Sequence, residues 1–75
     1  MNRTPVRSSN LVSVGYDPDT LVLEIEFRGK RVYQYAEVPV KVWHSLMAAP
    51  SAGSFFDASI RNVYAAKAVT EITQE

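Results

Sequence analysis

Residues 21–27, LVLEIEF, alternate apolar and acidic or aliphatic side chains with a period of two, placing Leu21, Leu23, Ile25 and Phe27 on one face and Glu24 and Glu26 on the other. No helix hides such a pattern, so this segment must be a strand covered on one side only. Every neighbouring segment then has to supply either a pairing strand or a cover for the apolar face.

The preceding LVSVGY offers Val12, Val14 and Tyr16 on one face. Between the two strands DPDT is a turn, because Pro18 presets φ and the Asp17 side chain can accept from the backbone ahead of it. With those four residues as the loop, Tyr16 opposes Leu21, Val14 opposes Leu23 and Val12 opposes Ile25, and all apolar residues share a face.

On the other side come Arg28, Gly29 and Lys30, then RVYQY, whose Tyr33 and Tyr35 must leave the same face of a strand. A two-residue loop puts Val32 and Gln34 inward and both rings outside with Glu24 and Glu26. A three-residue loop pairs Ile25 with Tyr33 and Leu23 with Tyr35 and turns the rings inward. Burying Gln34 without a partner costs about 1–3 kcal/mol, whereas two tyrosine bodies enlarge a small core. Burial favours the inward register, and both loop lengths remain available.

The period then changes. Pro39 suits the first turn of a helix in which Val42, Trp43, Leu46 and Met47 form the apolar stripe and His44 points outward, ending before Pro50. Ser54 with Asp57 three residues later resembles a capping box, Phe56, Ile60, Val63 and Tyr64 form a second stripe, and Asp57 and Arg61 make an i, i+4 ion pair. Phe55 lies off that stripe as the more exposed ring. This second helix is expected to end near Lys67, with residues 69–73 β-branched enough for an edge strand. The expected fold is therefore α+β, a three-stranded antiparallel meander followed by two short helices packed on one sheet face. Residues 1–10, polar and without period, read as a flexible N-terminal arm, residues 11–67 as the domain and residues 68–75 as a tail, either edge strand or frayed helix.

Seventy-five residues without cysteine make one small domain whose core must do without disulfides or thiolate metal sites. Eight basic and eight acidic residues cancel, so any nucleic-acid partner would be met by a local patch and not by global attraction. No run approaches a membrane span and no signal-like segment opens the chain, so the expected compartment is the cytoplasm. A lone His44, no glycine-rich phosphate loop and no grouped ligands argue for a non-enzyme without cofactor or metal.

What chemistry remains is concentrated at the second turn. Arg28, Lys30 and Arg31 put three cations in four positions, close to Tyr33 and Tyr35, and Arg61 stands at the margin. Cations with flat rings are what single-stranded nucleic acid requires. A solvated turn whose charges protect strand edges explains the cluster equally well.

Taken together, NLVSVGYDPDTLVLEIEFRGKRVYQY, VPVKVWHSLMAA and SAGSFFDASIRNVY resemble the KTSC domain family. The family's Tyr-x-Tyr motif falls on Tyr33 and Tyr35, its Val-Pro on Val38 and Pro39, its Ser-x-Gly-x-Phe-Phe on residues 51–56 and its Ile-Arg on Ile60 and Arg61. Where the family often has Asn-Gly in the hairpin, this chain has Gly29 and Lys30. The family takes its name from the C-terminus of some lysyl-tRNA synthetases and also occurs as free-standing small bacterial or phage proteins. The resemblance implies no defined activity, but its link to a tRNA-handling enzyme suggests RNA. The expected function is thus a small binding module for RNA or other single-stranded nucleic acid through Arg28, Lys30, Arg31, Tyr33, Tyr35 and Arg61. The alternative is a protein-interaction or homodimerisation module that uses the uncovered sheet face, with Val22 and, in the outward register, Tyr33 or Tyr35, or else Phe55.

Overall fold

The acidic and aliphatic alternation becomes the middle strand of a five-stranded antiparallel sheet. In the computed structural model, which describes residues 2–69, the elements run β1 (Thr4–Pro5), β2 (Leu11–Asp17), β3 (Val22–Phe27), β4 (Arg31–Tyr35), α1 (Val40–Ala48), α2 (Ala52–Ser59) and β5 (Ala66–Val69). The sheet order follows the chain, β1-β2-β3-β4-β5. The expected three strands are its centre, and the structure adds a strand at each edge.

The tyrosine face is decided by the β3–β4 turn. Leu23 pairs with Tyr35, Ile25 with Tyr33 and Phe27 with Arg31, leaving Arg28, Gly29 and Lys30 as a three-residue loop. Gly29 (φ 86°) and Lys30 (φ 61°) both take the left-handed conformation that reverses the chain, which glycine adopts freely and lysine less so. Both rings therefore face the helices. Tyr35 is buried and Tyr33 half-buried.

The first hairpin departs from expectation by two residues. Asp17 pairs with Val22, Tyr16 with Leu23 and Val14 with Ile25, so the loop is residues 18–21 and Leu21 (φ 61°) belongs to the turn. Asp17 Oδ1 does accept from the Asp19 N–H at 2.9 Å, but the Asp17 carbonyl also accepts from Leu21 N at 2.8 Å, which wraps the turn one residue further. An even shift keeps every side chain on its face. A bulge at Val12 then moves Leu11 into the core in Val12's place, opposite Phe27, while Ser13 keeps the other face beside Glu26.

Both helices cover the face that carries Val14, Leu23, Ile25 and Tyr35. Trp43 of α1 stacks on Tyr16 at 5.5 Å, and Phe56 of α2 meets Phe27 and Tyr35 edge-on, each at 5.4 Å. The Tyr16 hydroxyl donates to the Val38 carbonyl at 2.5 Å, fixing the chain where it enters α1. Leu46, Phe56 and Ile60 are buried as the stripes require, whereas Met47 and Val63 are exposed.

The second helix starts three residues earlier than the capping box on Ser54 suggested and ends well before Lys67. Ser51 is its N-cap, accepting from Ser54 N at 3.2 Å, so the SAGS segment supplies the cap and first turn. The start is possible because Gly53 has no side chain: a Cβ there would lie 2.8 Å from Ser8 Oγ. At Ile60 the backbone leaves the helical region (φ −124°, ψ −44°), which frees the following residues to bring Ala66–Val69 alongside β4. Residues 70–73 of the anticipated edge strand lie outside the described residues. Phe55, expected as the exposed ring, is half-buried against the core.

The opposite face holds the largest correction. Glu24, expected on the solvent side, is only 6% exposed. Arg3, from the segment read as a flexible arm, pairs with it through Nη1, and Gln34 Nε2 donates to its Oε1 at 2.8 Å. Arg3 Nε donates to Ser13 Oγ at 3.0 Å, Ser13 Oγ donates to Glu26 Oε1 at 2.8 Å, and Arg3 Nη2 lies 3.7 Å from that same oxygen. One arginine thus serves two carboxylates and a hydroxyl, and the inward tyrosine register is what places Gln34 among them. No helix among the described residues is long and apolar enough to cross a membrane.

Candidate nucleic-acid interface

The β3–β4 turn lies against the segment that precedes β2. Arg28 Nε donates to the Ser9 carbonyl at 2.7 Å and its Nη2 to the Ser8 carbonyl at 3.0 Å, while its backbone N–H reaches the Asn10 carbonyl at 3.3 Å. Arg31 Nε in turn donates to the Arg28 carbonyl at 3.3 Å. Both guanidiniums are held by neutral carbonyl groups. Among the described residues neither is paired with a carboxylate, and both side chains are exposed to solvent, where an anion can reach them.

Arg61 comes to the same place from the end of α2. Its Nη1 donates to Asp57 Oδ1 at 3.1 Å, the i, i+4 pair expected from the sequence, with both side chains well exposed. The open cleft between hairpin tip, pre-β2 segment and α2 measures about 540 Å³, and its lining includes Arg28, Arg31, Arg61, Asp57, Tyr33 and Tyr35. Five of the six anticipated site residues are therefore neighbours. Lys30 is the exception: it borders an adjoining depression of about 470 Å³ together with Arg3 and Glu26, and Arg31 and Tyr33 form the ridge common to both.

The aromatic floor is a chain of edge-on ring contacts. Phe27 contacts the Tyr33 ring edge-on at 5.7 Å and also packs on Phe56, which itself carries Tyr35. Half-buried Tyr33 offers a held ring surface at the cleft, whereas buried Tyr35 is chiefly a core residue with its hydroxyl end near the cations. Burial pushes the Tyr35 phenol above its usual range, helped by neighbouring Tyr33 and opposed by Arg61. It stays a neutral hydrogen-bond donor at physiological pH.

The sequence reading missed Ser8, Ser9 and Asn10, whose backbone carbonyls position the hairpin. Ser8 Oγ also accepts from the N–H groups of Asn10 (3.2 Å) and Leu11 (3.2 Å), giving the segment a defined bend. The available signal was SSN directly ahead of a strand, a local turn former. The register also puts Tyr33 and Tyr35 on the helix side, so the open sheet face lacks the rings that a partner contact there would have used.

Comparison with known proteins gives a consistent result. The profile of the KTSC domain family matches residues 7–64. A crystal structure of a KTSC domain protein from Yersinia pestis superposes with a TM-score of 0.89 at 42% identity, covering 92% of this chain and 97% of that one. An uncharacterised protein of Stutzerimonas stutzeri is 42% identical over 57 residues, 76% of this chain and 80% of the relative. A protein of Tsukamurella paurometabola is 38% identical over 65 residues, 87% of this chain and 97% of the relative.

Proposed function

This chain belongs to the KTSC domain family, and from that premise we propose that it is a small binding module for RNA or other single-stranded nucleic acid. The observation that supports this reading is the convergence of Arg28, Arg31 and Arg61 with the Tyr33 ring in one cleft. Guanidiniums serve phosphates, and an aromatic ring beside them serves an unstacked base. The family's association with a tRNA-handling enzyme points the same way.

Three cations set the scale. Affinity is weak, about 10⁻⁴–10⁻⁶ M, and a log–log salt slope of about −2 follows from some 0.7 per phosphate contact on a single strand. Raising salt from about 50 to 200 mM then weakens binding about 20-fold. Fluorescence anisotropy with a labelled unstructured RNA checks this. Arg31→Ala/Arg61→Ala is the informative variant, since Arg28 also fastens the pre-β2 segment. Absence of binding at low salt, or equal binding by wild type and variant, would refute the reading.

A further inference from the structure

We propose that the cleft recognises a terminal phosphomonoester of the single strand, in preference to internal phosphodiesters; this rests on the nucleic-acid reading above. Charge comes first. Three arginines and one aspartate on the lining leave an excess of two positive charges. An internal phosphodiester carries one negative charge, whereas a phosphomonoester carries about −1.5 to −2 at pH 7 and three acceptor oxygens. A single monoester balances the cleft, whereas a single diester leaves it one charge short.

Asp57 lowers the charge of the cleft without reversing its sign. It occupies one side of Arg61 at 3.1 Å and stands on the same lining, so an incoming anion must share that guanidinium and bear the repulsion. Because the excess stays positive, a second charge on the ligand gains more from the three arginines than it loses to Asp57. The donors suit a monoester as well, since Arg28 has two guanidinium N–H groups committed to carbonyls and Arg31 has one, leaving both with further N–H groups in a fixed fork. The dimensions agree. About 540 Å³ falls in the size range of small-ligand sites, which gives room for a terminal nucleotide with its base at Tyr33.

The test is a set of competition titrations with one short oligoribonucleotide prepared with a 5′-phosphate, with a 3′-phosphate, or with hydroxyls at both ends, alongside inorganic phosphate. One phosphorylated form is expected to compete about tenfold better than the hydroxyl form, the effect of an added charge-assisted hydrogen bond. The 5′ and 3′ arms identify which end is held. The advantage should fall as pH drops through about 6, where the monoester takes up its second proton. It should also vanish in Arg31→Ala and shrink in Arg31→Lys, which keeps the charge but loses the fork. Equal competition by all three oligonucleotides overturns terminal recognition and leaves the nucleic-acid module standing. Failure of all three removes both. Inorganic phosphate competing as well as the best oligonucleotide, on a molar basis, overturns the role of the strand itself.

Discussion

Replacing Arg3 by alanine tests whether the N-terminal segment is part of the fold. Glu24 has a side chain 9% exposed, and Arg3, 26% exposed, is its cation. Removing one member of a buried pair costs about 3–5 kcal/mol when the remaining charge is left alone. Here Gln34 still donates to Glu24, and a partly wet arginine starts from a lower value, so a loss of about 1.5–3 kcal/mol is expected. For 75 residues, total stability is on the order of 4–11 kcal/mol, so this is a large fraction. With a urea dependence near 1 kcal/mol per molar, the midpoint should fall by about 1.5–3 M. The melting temperature should fall by roughly 6–24 °C. A double-mutant cycle with Glu24→Gln isolates the pair from other effects of truncation, and its coupling should exceed about 1 kcal/mol. A shift under about 0.3 M, with no coupling, would show that the segment does not dock in solution and that Glu24 finds its counter-charge elsewhere.

Two further outcomes follow from local geometry. Gly53→Ala should destabilise despite the better helix propensity of alanine, because its Cβ would sit 2.8 Å from Ser8 Oγ. In a Ser8→Gly background the same change should instead stabilise by about 0.5–1 kcal/mol in denaturant titrations. At alkaline pH, Tyr16 and Tyr35 both hold phenol pKa values raised above 10.0, chiefly by burial, with Asp17 adding to the first. Above pH 10 the unfolded chain releases protons that the folded one retains, so stability is full below that point and declines as pH rises through the folded values. Tyr16→Phe/Tyr35→Phe should flatten the decline, measured by urea unfolding at successive pH values; an unchanged decline would refute the assignment.

Much of the architecture was legible because it depends on parity. Leu23, Ile25 and Phe27 could only face one way, and the three-residue loop at Arg28 turned Tyr33 and Tyr35 inward for reasons of burial visible in the residues themselves. The even shift of the first hairpin did no harm to the reading, since the faces survived it. The bulge at Val12 was not legible, because nothing local in LVSV favours an extra residue. The six candidate residues were named from their chemistry and from the family resemblance; five line one cleft, and sequence proximity hid the fact that Lys30 borders a different depression.

Local pattern by itself determined the three central strands, the helical stripes and the inventory of cations and rings, since each rests on periodicity and side-chain type within a few residues. Only tertiary structure decided what became of residues 3–10 and 66–69, short segments whose own propensities are too weak to hold a conformation. Arg3 gains its place from a carboxylate twenty-one positions away, and the carbonyls of Ser8 and Ser9 gain theirs from Arg28. Ala66–Val69 becomes a strand only because β4 presents an open edge to it. Contacts across such separations leave no period in the chain, and they are what join one edge of the sheet to the cleft.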